Sequence, residues 1–558
     1  MKSTSQHVFS QAPQADIPRS KFVTSQSYKT AFNSGLLIPF YVDEALPGDT
    51  FNAQVTSFAR LATPIAPFMD NLYMDFQFFA IPIRLVWDNF QRMMGERRNP
   101  EDSIDFLAPV MTAPEGGFGE NSMMDYMGIP QNVTGLECSS LWCRAYNLVW
   151  NEWYRDENLQ DRAPVSFGDG PDNPADFVLR RRGKRHDYFT SCLPWPQKGE
   201  GVNLPLGGFA PVSGFNGEDF DSLQISSDPG SIYGASLLYR SAPTASSMSF
   251  RSPTSTTGVS DDLPAGTDLT GYASPSGDVL QPGKSLTVER GLWADLGQAT
   301  AATINSLRQA FQLQRLLERD ARGGTRYVEL LRSHFGVISP DARLQRPEYL
   351  GGGSQPIQIH SVAQTSSTDS TSPQGNLAAY GMTAGQVGFQ KSFVEHTLIL
   401  GLVSVRADLT YQQGLPRMFS RRSRYDWYWP VLANLGEQAV LNKEIYAQGP
   451  SVKDPVTNLP VDDQVFGYQE RWAEYRYGIS KITGALRSTA TLPLDSWHLA
   501  QKFTELPKLN DSFIQDNPPL ARVLAVQNQP QLIFDSNISI SKVRPMPLYS
   551  IPGMIDHF

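Results

Sequence analysis

Between Thr50 and Ala62 the apolar side chains fall on odd positions (Phe51, Ala53, Val55, Ala59, Leu61), and Asn52, Gln54, Thr56 and Arg60 fall on even ones. Successive strand side chains point to opposite faces, so this alternation specifies a strand with one buried face. Pro47-Gly48-Asp49 supplies the turn before it. A second alternation sets Leu72, Met74, Phe76, Phe78 and Ala80 against Asn71, Asp75 and Gln77. Pro39 and Pro82 lie in strand-like runs, which suits strand ends, edges or bulges. The stretch from Gly35 to Phe90 therefore predicts the start of a large antiparallel β structure.

The rest of the chain reads as more strands with long connections. Phe393 to Tyr411 predicts a long strand or strand pair. Trp142, Ala145, Tyr146, Val149 and Trp153 share one face of a helix predicted over Leu141–Asn158, laid on the side of a sheet, with Ser139 or Ser140 to cap it. Further helices are expected at Trp87–Gly95, Gln298–Arg322, Arg326–Phe335 and Ser496–Phe503, the second of these stopped by Gly323-Gly324. Residues 1–34 are polar and aperiodic and predict an N-terminal arm. Residues 35–198 and 284–558 are assigned to one body, with a further surface loop near 350–389. Residues 199–283 carry nine acidic side chains and two basic ones, a net of −7 out of the chain's −9, and read as a projecting surface insertion.

Composition narrows the function. Charged residues are 18% and aromatics 11%, while Gly 44 and Pro 41 mark many turns. A chain with few charges and much loop surface calls for partners to cover it. Three cysteines, Cys138, Cys143 and Cys192, are too few for a disulfide framework and suit a reducing compartment. The opening MKSTSQHVFSQAP has no apolar core, so no export signal is expected, and no apolar run approaches the ~20 residues of a membrane span.

No catalytic constellation stands out. Gly277 and Gly283-Lys284-Ser285 miss the phosphate-loop spacing by one residue, and Pro282 interrupts them. His7, His186, His334, His360, His396, His498 and His557 show no metal-binding spacing. Cys138 and Cys143 are not a C-x-x-C pair and read as buried thiols. No enzyme activity, cofactor or metal is expected.

Two basic clusters remain. Arg180, Arg181, Arg182, Lys184 and Arg185 form a dense run. Arg417, Arg421, Arg422 and Arg424 precede Tyr425, Trp427, Tyr428 and Trp429. Guanidinium groups beside exposed aromatics can grip a single-stranded phosphate backbone and stack its bases. The competing reading is that the aromatics are strand core and the arginines form ion pairs.

Long motifs spread over the chain carry a resemblance: YVDEALPGDTF from Tyr41, ARLATPIAPFMDN from Ala59, RLVWDNF from Arg84, Leu193–Gly199, GYQERWAEYRYG from Gly467, LDSWHLAQKF from Leu494 and SIPGMIDHF from Ser550, together with Ile17–Ser20. In these the chain resembles the microvirus major capsid protein of the gokushovirus type. The resemblance implies an eight-stranded viral jelly roll with long loop insertions and several helices. It implies one copy per asymmetric unit of a T=1 icosahedral shell around a single-stranded DNA genome, made in the host bacterial cytoplasm and residing in the virion. Implied partners are further copies of the chain, viral DNA, a small basic DNA-binding virion protein, a minor (pilot) virion protein and a host surface receptor. Residues 199–283 take the place of the family's threefold protrusion, and Tyr233, Leu237, Leu238, Tyr239 and Phe250 are the apolar residues expected there for receptor or symmetry contact. The alternative is a carbohydrate-binding jelly-roll protein, which would appear as a monomer with glycan affinity instead of as shells.

Overall fold

The structure, a computed structural model, describes residues 18–202, 304–324, 326–337, 345–366, 368–370 and 373–549, with six short strands between 212 and 294. Eight long strands dominate: β1 (Ser20–Phe32), β2 (Ile38–Ala45), β3 (Thr50–Leu61), β4 (Leu72–Pro82), β5 (Glu348–Ala363), β6 (Leu377–Ser392), β7 (Thr397–Ala407) and β8 (Leu532–Arg544). They form one antiparallel sheet in the order β1-β8-β3-β6-β5-β4-β7-β2. The hydrogen-bonded pairs β1·β8, β2·β7, β3·β6 and β4·β5 join the chain's outermost strands to one another and its innermost strands to one another. That is the wrapping of a jelly roll.

The sheet curls so that its halves share a core. Phe40 of β2 and Phe76 of β4 lie 5.9 and 6.0 Å, ring to ring, from Phe534 of β8. Phe78 of β4 meets Phe389 of β6 at 5.1 Å. β3 buries every second residue from Phe51 and leaves the others to solvent, as its alternation requires. β4 and β7 are buried on both faces. Met74, Phe76, Phe78, Ile399 and Val403 point into the barrel, while Phe79, Ile81, Leu398, Leu400 and Leu402 join a second core outside it. Helix α1 (Leu141–Val149), continued by a wider turn to Tyr154, covers that outer face, and the Tyr146 hydroxyl donates to the Leu37 carbonyl at 2.9 Å. Ala145, Tyr146 and Val149 of the expected stripe are buried, as are Cys143, Arg144 and Leu148 beside it, so α1 is covered more widely than one stripe, while Trp153 in the following turn is partly exposed.

Several expectations change. The N-terminal arm does not extend to residue 34: Ser20–Phe32 is β1, paired over thirteen residues with β8. Only Tyr28 and Phe32 among its central and final residues anchor it inward, too sparse a pattern to read as a strand. The stretch 350–389 is not a surface loop, because most of it is β5 and β6. It escapes notice because these strands are built from glycine, alanine and small polar residues. At Gly388 a Cβ would sit 2.1 Å from the Ala53 carbonyl oxygen, and at Gly352 one would sit 2.0 Å from that of Phe76. Small residues are what allow neighbouring strands to approach here. The expected helix at Ser496–Phe503 is a single tight turn, Asp495–Trp497.

The chain divides into two units, residues 199–317 and the remainder. Within the smaller unit, four short strands pair antiparallel in the order 262–264, 247–251, 235–238, 223–225. Helix α2 (Ile304–Gly323) and helix α3 (Tyr327–Phe335) follow, with His334 Nε2 2.7 Å from the Asp320 carboxylate.

Candidate nucleic-acid interface

The first basic run is built into the body. The Arg181 backbone bridges to Leu36, and the Arg182 amide donates to the Gly35 carbonyl at 2.8 Å, so the run lies along the chain just before β2. Arg180 stacks on the Trp150 ring at 5.0 Å. Arg181 Nη1 donates to the backbone carbonyls of Ser34 and Asp516 and to Asn517, all at 3.2–3.3 Å. Arg182 pairs with Asp75 of β4, and the same carboxylate accepts from Arg406 of β7 at 2.8 Å. Burial pushes the Asp75 carboxyl upward, but Arg182, Ser354 and Arg406 outweigh it and hold the group below the usual range. Lys184 sits over the Phe513 ring at 4.4 Å, and burial lowers its pKa. Arg185 alone of this run is exposed.

The second cluster is arranged differently. It follows Pro416 as three one-turn helices, Arg417–Ser420, Arg424–Asp426 and Pro430–Leu432. Asp426 fixes the middle turn: its carboxylate accepts from the backbone amides of Arg422 at 2.9 Å and Ser423 at 2.6 Å, and these bonds hold its pKa low, that of Ser423 most strongly. The ends are tied down. Arg417 donates to Glu444 at 2.9 Å and to the Ala439 carbonyl at 2.8 Å, while Tyr188 donates to the other Glu444 oxygen at 2.8 Å. Burial opposes the charge on Arg417, yet the Glu444 carboxylate outweighs it and raises the pKa. Arg421 pairs with Glu474 at 3.2 Å and lies over Tyr475 at 4.5 Å. Arg422 and Arg424 are exposed, and Arg424 lies 5.4 Å over the Trp429 ring and 5.9 Å over Tyr425.

The aromatics of this cluster are not strand core. Tyr425, Trp427, Tyr428 and Trp429 remain 45–64% exposed, and Phe419 beside them is 68% exposed. Tyr428 meets Trp472 edge-on at 5.7 Å and Tyr475 at 6.3 Å, which brings the GYQERWAEYRYG segment to the same surface. Phe419 and Tyr475 are thus members of the surface that sequence reasoning missed. For Tyr475 the signal was its place in a long motif; for Phe419 it was adjacency to Arg417 and Arg421. The arrangement presents two exposed guanidinium groups among apolar ring faces, a surface suited to phosphate pairing and base stacking.

Tyr233 and Tyr239 lie outside the described residues. Leu237 and Leu238 are in the 235–238 strand, where Leu237 stands opposite Phe250. Among the described residues no group of three or more His, Cys, Asp or Glu side chains is placed to hold a metal ion, and no helix is long and apolar enough to cross a membrane. Cys143 and Cys192 are buried free thiols whose pKa burial drives upward.

The chain is a jelly roll with its own filled core and a broad aromatic and arginine surface left exposed, a form that coat-forming structural proteins take. The model of the family described as capsid protein (F protein) matches residues 10–554. The chain is 46% identical to capsid protein VP1 of Bdellovibrio phage phiMH2K, over 99% of this chain and 98% of the relative. It is 44% identical to capsid protein VP1 of Chlamydia phage 1, over 99% and 98%, and 37% identical to that of Spiroplasma virus 4, over 98% and 97%. The chain belongs to this bacteriophage capsid protein family.

Proposed function

We propose that this chain assembles as the single major subunit of a T=1 shell around single-stranded DNA, and that the surface formed by Arg422, Arg424, Tyr425, Trp427 and Trp429 faces the genome. The observation that carries the reading is the exposure of these rings beside two guanidinium groups with no carboxylate partner among the described residues, while Arg417 and Arg421 are held by Glu444 and Glu474. Binding of this kind is salt-sensitive and tolerant of sequence. Arg185 is the one member of the first run available to join it. The net −7 of residues 199–283 disfavours contact with phosphates and assigns that segment, with Tyr233, Leu237, Leu238, Tyr239 and Phe250, to the exterior and to host attachment. A basic DNA-binding protein and a pilot protein complete the proposed virion.

Replacing Arg422 and Arg424 together with Gln tests the assignment. Purified particles of the variant are expected in normal number, with DNA content, read from the absorbance ratio at 260 and 280 nm and by extraction, reduced several-fold. Full DNA content in the variant would contradict the genome-facing role.

A further inference from the structure

β5 and β6 outrun the sheet that holds them. β5 pairs with β4 only as far as Ile357, opposite Leu72, and β6 pairs with β3 only from Gly381, opposite Leu61. Beyond those points, among the described residues, His360–Ala363 and Leu377–Tyr380 pair only with each other, in register from His360 opposite Tyr380 to Ala363 opposite Leu377. The result is a two-stranded ribbon about 13 Å long at ~3.3 Å per residue. The hydrogen bond from the Gln364 amide to the Asn376 carbonyl, 2.8 Å, closes its outer part. His360 stacks on Tyr380 at 5.1 Å, and Val362, Leu377 and Tyr380 are 48, 39 and 40% exposed.

A two-stranded ribbon is marginally stable alone in water. Its open edges also invite pairing, which proteins ordinarily suppress with Lys, other charges or Pro. None of these devices is present in the ribbon strands. From Tyr349 to Gln390 the only formally charged residue is Asp369, and charges reappear at the base, where Lys391 donates to Glu348 at 2.7 Å. A ribbon without cations does not suit a phosphate backbone. One without charge of either sign offers nothing to a charged protein partner. It does suit another ribbon of the same kind, which meets it without repulsion and supplies matching apolar groups and open edges.

We infer that the ribbons His360–Ala363/Leu377–Tyr380 of neighbouring copies of this chain pack on one another in the assembled particle. The inference rests on the shell-forming role and specifies one surface through which copies meet. Charge at Val362 tests it. Val362→Lys and Val362→Glu chains are made separately and co-expressed, with the unsubstituted chain alongside, and particles are counted after sedimentation. Each variant alone is expected to give at least about tenfold fewer particles, because like charges meet at the contact. Both are expected to remain folded by circular dichroism, since a half-exposed side chain contributes little to the body. Co-expression is expected to restore particles containing both chains. Wild-type yields from either variant alone, or no recovery on co-expression, would overturn the ribbon contact. Failure of the unsubstituted full-length chain to form shells would overturn the shell role itself, and the ribbon contact with it.

Discussion

In the 180–185 run, Arg181 and Arg182 are spent on backbone carbonyls and on Asp75, Arg180 lies on a tryptophan, and Lys184 is packed against Phe513. In the 417–424 cluster the flanking Arg417 and Arg421 are paired in the same manner, but Arg422 and Arg424 are presented at the surface by a turn that Asp426 holds. Two stretches rich in arginine therefore sit in different environments. What separates the covered side chains from Arg422 and Arg424 is whether a carboxylate, a backbone carbonyl or a ring from a distant part of the chain arrives beside the cation. Asp75 and Arg182 are 107 residues apart, and Arg421 and Glu474 are 53 apart. Basic clustering alone is thus a poor guide to which cations are exposed.

The comparison breaks most forcefully at Asp75. Asp75→Ala leaves Arg406, whose side chain is 4% exposed, and Arg182 without their shared carboxylate. Removing one partner of a buried pair costs about 3–5 kcal/mol, so urea denaturation should show a loss of that order. A loss below about 1 kcal/mol would mean that the first run is less structural than its contacts state.

A smaller effect sharpens the same contrast. Burial lifts the Asp516 carboxyl to about 7, against the opposing pull of Arg182, Lys184, Arg406 and Arg181. The folded carboxyl is the weaker acid, so the folded chain keeps a proton that the unfolded chain releases between about pH 4 and pH 7. The contribution of this group to stability therefore falls as pH rises through that window and levels off above it. Asp516→Asn should flatten the decline in melting temperature from pH 5 to pH 8, and parallel curves for variant and wild type would contradict the assignment. Least affected in stability is the Arg422→Gln/Arg424→Gln chain, expected within about 0.5 kcal/mol of wild type, because surface side chains without structural partners contribute little. Its loss appears in DNA content alone.

Much of the barrel was legible. β3 and β4 follow the alternations of Phe51–Leu61 and Leu72–Ala80 to within a residue or two, and α1 begins at the residue expected. Apolar periodicity marks elements that bury large side chains. It is silent where strands are held by close backbone approach, as at Gly352 and Gly388, or where an edge strand is mostly polar, as in β1. At the site, the residue types were legible and their environments were not. The ion pairs of Arg182, Arg417 and Arg421 and the exposure of Trp427 and Trp429 arise from tertiary placement, which local spacing does not encode.

Ultraviolet cross-linking of intact, DNA-filled particles, followed by mass spectrometry of the peptides joined to nucleotides, tests the central claim most directly. Stacked tyrosine and tryptophan rings are the groups positioned to react. The account predicts cross-links at Tyr425, Trp427 or Trp429 and none in residues 199–283. Cross-links within 199–283, or their absence from 417–429 in particles that retain their genome, would contradict it.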